Sequence, residues 1–284
     1  MEQMMFLIDG LLLGFVYGIA AMGMTMIWGV MNVINLAHGP IISLGGFGVY
    51  LLFTNLGMNP YLALALVALG GLLLGVIVYW VAIHRVLDAP HLSSLLATFS
   101  INMILIGLGT AIFSTTPRNI AFDQGSLTIG VMTIPMGRLI AAATSLIITA
   151  LLYVFLYRTR PGKYIRAVAN NRDAAELMGI HSNQILALSF GLGTMLAAIA
   201  GGLIAMIFPF TILSGSTYEL KSFVICVLGG LGNPLGALLG GLILGALEGV
   251  IPAFLPITWV PVLEFLLFIL ILLFRPSGLF GVSK

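Results

Sequence analysis

Charge is scarce in this sequence. Of its 284 residues, 7% are Asp, Glu, Lys or Arg and 60% are hydrophobic, and the mean hydropathy is +1.17. An ordinary soluble domain carries about 25% charged residues, so composition excludes one of this length. Cysteine is scarcer still. Cys226 stands alone inside an apolar run, which excludes a disulfide or thiolate metal cluster within the chain. The formal net charge of +2 is no nucleic-acid signature, and no nucleic-acid partner is expected. The opening MEQMMFLIDG lacks a positive n-region and a small-residue cleavage site, so no removable leader is expected.

Long apolar runs are abundant. A hydrocarbon core about 30 Å thick needs about 20 apolar residues per helix. The runs predict an all-α polytopic membrane protein with spans near 10–30, 37–56, 60–83, 92–113, 136–157, 185–208, 216–232, 235–251 and 258–274. The stretch 114–135, with Arg118, Asp123 and Gln124, reads as an external loop. Pro60, Pro90, Pro117, Pro135, Pro161 and Pro209 fall at or near span ends, where a missing N–H costs least. The 35 glycines fit close helix–helix contact in a bilayer.

Lys and Arg near span ends set orientation. Five of the 11 Lys and Arg, namely Arg158, Arg160, Lys163, Arg166 and Arg172, lie in the stretch RTRPGKYIRAVANNRDAAELMG (158–179). That places 158–184 in the cytoplasm. Arg85, Arg275 and Lys284 fall on the same side, giving an external N-terminus and a cytoplasmic C-terminus. A cytoplasmic tail requires an even number of crossings after residue 184. Residues 216–251 then make two short crossings, turning at Gly229-Gly230-Leu231-Gly232-Asn233-Pro234. This gives nine helices; one long helix through 216–251 is the alternative, giving eight. The whole of 1–284 reads as one transmembrane domain with a cytoplasmic loop at about 158–184.

That loop holds more order than a topology signal needs. Asn171 or Asp173 can cap a helix by accepting from free backbone N–H groups, and Gly179 can end it in a left-handed conformation. A two-turn helix follows, carrying Asp173, Ala174, Ala175 and Glu176 and offering Leu177, Met178 and Ile180. An apolar cluster rimmed by charge points to a protein partner.

Asp173-Ala174-Ala175-x-x-x-Gly179 resembles the EAA loop of ABC-importer permeases, with Asp for the usual Glu. The usual Ile-x-Leu-Pro ending is absent, and Ser189-Phe190-Gly191 stands near its place. Four ordered segments resemble the LivH-type permeases of branched-chain amino acid ABC importers: NVINLAHGPIISLGGFGVYLL (32–52), GKYIRAVANNRDAAELMGI (162–180), VICVLGGLGNPLGALLGGLILGALE (224–248) and RPSGLFG (275–281). The resemblance implies a type II-like permease in a bacterial inner membrane. It implies four kinds of partner: lipid, a second LivM-type permease, two ABC ATPase subunits, and a periplasmic solute-binding protein. It further implies that Arg166, Asn170, Asn171, Arg172, Asp173, Ala174, Ala175, Glu176, Met178, Gly179 and Ile180 couple to the ATPases. Their movement would tilt the spans at 136–157 and 185–208.

Other polar residues are candidates for the pathway. Asn32, Asn35, His38 and Gly39 lie where the first two spans meet. They read either as a polar lining near the cytoplasmic interface or as a helix break at Gly39-Pro40. Ser93, Ser94, Thr98, Ser100 and Asn102 make one end of span 92–113 polar, either to bond helices together or to line a wet route. Arg118, Arg138, Glu248 and Glu264 read as interfacial, near external span ends. Gly229-Gly230-Leu231-Gly232 lacks the Lys-Ser/Thr of a phosphate loop. The chain is therefore expected to bind no cofactor and to be no enzyme, with ATP and Mg handled by partner ATPases. An ion-coupled carrier would instead need midplane carboxylates. The substrate stays open between branched-chain amino acids, other amino acids, amides and urea.

Overall fold

A computed structural model describes residues 2–122, 124–129, 132–275 and 277–281. Asp123 and Lys284 lie outside the described residues. The chain is an all-α polytopic bundle. Its helices are α1 (Glu2–Met31), α2 (His38–Leu56), α3 (Pro60–Val86), α4 (His91–Phe113), α5 (Met136–Arg158), α6 (Arg160–Asn170), α7 (Arg172–Leu177), α8 (Ser182–Ala205), α9 (Gly215–Gly229), α10 (Pro234–Val250) and α11 (Val260–Phe274). α3 passes through a π-helical turn at Tyr79–Ile83. Eight of these helices, namely α1 to α5, α8, α10 and α11, are long and apolar enough to cross a membrane.

α9 has 15 residues, about 22 Å at 1.5 Å per residue, short of a full crossing. It starts deep in the bundle, where the Gly215 N–H donates to Ser43 Oγ at 2.9 Å. A Gly229–Asn233 turn then separates it from α10. The predicted span 216–232 is thus a partial one. The break also overturns the alternative of one long helix through 216–251.

Small residues explain the packing. α10 runs antiparallel to α1, so that Gly10 meets Gly245 and Gly249, Gly14 meets Gly241, and Gly29 meets Gly232. A Cβ at any of these glycines would fall against the other helix's backbone. α8 lies at the centre, mostly buried, against α1, α2 and α3. Its Gly193, Ala198 and Gly201 abut Gly23, Gly45 and Ile42.

The contacts define two ends of the bundle. At one, Arg138 pairs with Asp9 at 2.8 Å and Arg118 exchanges backbone hydrogen bonds with Phe210. The predicted loop 114–135 there contains an antiparallel pair, β1 (Ser126–Ile129) and β2 (Met132–Pro135), which the sequence reading missed. At the other end lie α6 and α7, the Gly230–Gly232 turn beside Gly29, and the tail, where Leu279 N–H donates to Leu228 O. The N-terminal helix therefore begins at the end opposite the tail.

Candidate functional site

Two polar regions stand out, one projecting from the bundle and one buried in it. The projecting region is α6–α7. Thr159 caps α6 by accepting from Gly162 N–H at 3.2 Å. Residues 160–170 form an amphipathic helix that the sequence reading left as loop; Ile165 and Val168 turn inward while Lys163, Tyr164 and Asn170 face out. Arg166 is tied down: its Nε donates to Leu156 O at 3.1 Å and its guanidinium lies 4.3 Å from the Tyr157 ring centre.

Asn171 caps α7, its Oδ1 accepting from Ala174 N–H at 2.9 Å. Gly179 follows with φ +80°, a conformation that glycine adopts freely. Arg172 gathers neighbours. It pairs with Asp88 at 3.0 Å and with Glu176 at 3.3 Å, and its Nη2 donates to Asn183 Oδ1 at 3.3 Å. Ala175 is buried, and Ile180 packs with it against Tyr79, Ile83, Val168 and Leu186. α7 is thus seated on the π turn of α3 and the start of α8. Asp173, Ala174 and Glu176 face outward. Leu177 and Met178 are 89% and 84% exposed. Beside them opens a 530 Å³ cavity lined by Trp80, Glu176, Gly179, Ile180 and Ser182.

The buried region is made by a re-entrant turn. After α1 ends at Met31, residues 32–37 run back into the bundle. His38 Nε2 donates to Ala20 O at 2.8 Å. Ala20 lies eleven residues before Met31, about 16 Å along the helix axis. His38 was expected near the interface. It sits deep and fully buried instead, because α2 starts within the bundle. Asn35 is also fully buried, and its Oδ1 accepts from Ala37 N–H. His38 Nδ1 and Asn35 Nδ2 have no protein partner. Gly39 hydrogen-bonds through its backbone to Glu219 of α9.

The α4 candidates divide. Thr98 reaches this junction, donating to Ile34 O at 3.0 Å. Ser94 and Asn32 line one 520 Å³ cavity with Trp28 and His91. Ser100 is exposed and bonds only Leu96 O of its own helix. Ser93 is half-buried, and Asn102 is half-buried with Oδ1 unpartnered.

Sequence reasoning missed Glu219 and Lys221, two charges in the predicted span 216–232. Glu264, expected near an external span end, lies in the first turns of α11 and is 4% exposed. Lys221 accounts for its burial: its Nζ lies 2.7 Å from Glu248 and 3.6 Å from Glu264, so the carboxylate is turned into the protein. Among the described residues no group of three or more His, Cys, Asp or Glu is placed to hold a metal.

A profile of the family described as branched-chain amino acid transport system / permease component matches residues 6–273. The chain is 33% identical to the high-affinity branched-chain amino acid transport system permease protein BraD of Pseudomonas aeruginosa, over 97% of this chain and 94% of the relative. It is 31% identical to the corresponding LivH protein of Salmonella typhimurium and 30% to that of Escherichia coli, each over 98% of this chain and 95% of the relative. No solved structure matches it. The chain belongs to the family of branched-chain amino acid transport permease components.

Proposed function

We propose that this chain is the permease subunit of an ATP-driven importer for branched-chain and other hydrophobic amino acids. It forms the route with a second permease, receives cargo from a periplasmic solute-binding protein, and takes its energy from two separate ATPase subunits that bind ATP and Mg. The α6–α7 end faces the cytoplasm and the start of α1 faces the periplasm. The observation that carries this reading is α7. A capped two-turn helix presents Leu177 and Met178 almost fully to solvent, at the end of the bundle holding most of the basic residues. Its inner face, Ala175 and Ile180, rests on α3, α6 and α8. A push on α7 is thereby delivered to helices that reach the buried junction.

The re-entrant turn supplies the other half. Asn35 and His38 leave polar atoms unbonded in the interior, and such atoms are retained at a cost. They suit a neutral, zwitterionic cargo that needs polarity without net charge. The test uses the assembled complex in proteoliposomes. Proline at 179 cannot adopt φ +80°, and Arg172→Glu sets a third acid between Asp88 and Glu176. With Gly179→Pro or Arg172→Glu, the chain still inserts while substrate-stimulated ATP hydrolysis is abolished. Full stimulated hydrolysis in both variants would remove α7 from the coupling role.

A further inference from the structure

The 20 charged residues of this chain are mostly peripheral, yet three meet between α9, α10 and α11. Lys221 is 12% exposed at its side chain, Glu248 25% and Glu264 6%. The pairing is incomplete. Lys221 Nζ donates to Glu248 Oε2 at 2.7 Å, whereas Glu264 Oε1 lies 3.6 Å away and accepts no hydrogen bond. The group sets two carboxyl groups against one ammonium, and a buried carboxyl oxygen is left without a donor. Such a state is costly in a membrane segment unless something completes it.

There is room for something. A 430 Å³ cavity lies against Thr217, Lys221, Glu248 and Glu264, within the size range of small-molecule sites. A second, of 310 Å³, shares Thr217, Lys221 and Glu248 with it and extends to Tyr17. The ion pair thus stands between two spaces. Apart from Ser216, the other walls of the first are apolar, chiefly Leu220, Val224, Val260 and Phe265. A bare cation fits poorly, because Lys221 shares the site. A molecule bearing one ammonium, one carboxylate and an apolar side chain meets each requirement.

We infer that the α9–α11 cavity is a waypoint for an amino acid zwitterion, whose ammonium bonds Glu264 and whose carboxylate bonds Lys221 and the Thr217 hydroxyl. This rests on the amino acid permease reading and places the cargo on named atoms of this chain.

The assay is L-leucine uptake and ATP hydrolysis by the complete complex in proteoliposomes. With Glu264→Gln, leucine carried per ATP hydrolysed falls at least tenfold, while binding-protein-stimulated hydrolysis stays within twofold; Glu264→Asp recovers part of the loss. A second readout does not depend on that charge. Leu220→Cys is exposed, whereas the native Cys226 is fully buried, so the new thiol is alkylated selectively. L-leucine in turnover slows that alkylation at least threefold. The proposal is overturned if Glu264→Gln keeps the wild-type ratio, if uptake and hydrolysis fall together, or if leucine leaves alkylation unchanged. A wild-type complex that moves no leucine defeats the transport reading itself, and the waypoint with it.

Discussion

Five basic residues between 158 and 172 carry the proposed orientation. Lys and Arg near span ends are retained on the cytoplasmic side, and at the opposite end Arg118 and Arg138 are the exceptions. Arg138 is neutralised by Asp9 at 2.8 Å. Reporter fusions check this directly: alkaline phosphatase joined after residue 170 is inactive, and joined after residue 120 it is active. The reverse pattern would invert the orientation. Several single residues were legible because their signal is local. Asn171 as a cap and Gly179 as a stop need only their own neighbours. His38 was misjudged because its depth comes from a contact with Ala20 on another helix. Lys221 and Glu219 were overlooked because the span 216–232 was read from its apolar run, and both charges stand near the start of it. Lys221 was discoverable: a basic residue in an apolar window asks for a carboxylate, and Glu248 and Glu264 were both available.

Among elements, glycine spacing governs α1 and α10. Gly10 and Gly14 face Gly245, Gly241 and Gly249 with backbone against backbone, the small-residue contact of membrane helices. Gly245→Leu would drive a side chain into the backbone of Gly10 and Gly14. Overpacking costs about 1–3 kcal/mol, and here no flexible side chain can yield. The detergent-solubilised variant therefore melts well below the parent. Gly70→Leu, where a Cβ would meet no atom within 4 Å, melts near it. Equal melting of both variants would refute the close packing. Span positions were legible because hydropathy reports them, and the turn at 229–234 because Gly, Asn and Pro mark it. That α9 would be short was read correctly, but its start at the buried Gly215–Ser43 contact was not legible. Nor was the β1–β2 pair, whose two four-residue strands are too brief for a periodic pattern, nor α6, whose charge masked its amphipathic face.

At the scale of the whole molecule, the apolar bundle, α7 and the buried polar junction form one line. α7 sits on α3 and α8, α8 packs against α1 and α2, and α2 begins at His38. A force applied at the α6–α7 end needs no other path to reach the interior. The α9–α11 charges lie toward the other end, where cargo would enter. The most direct measurement is L-leucine uptake into proteoliposomes, comparing this chain with its full set of partners and this chain alone. The account predicts uptake that requires ATP, the ATPases and the binding protein, and none by the chain alone under a proton or sodium gradient. Uptake by the isolated chain driven by an ion gradient would contradict it.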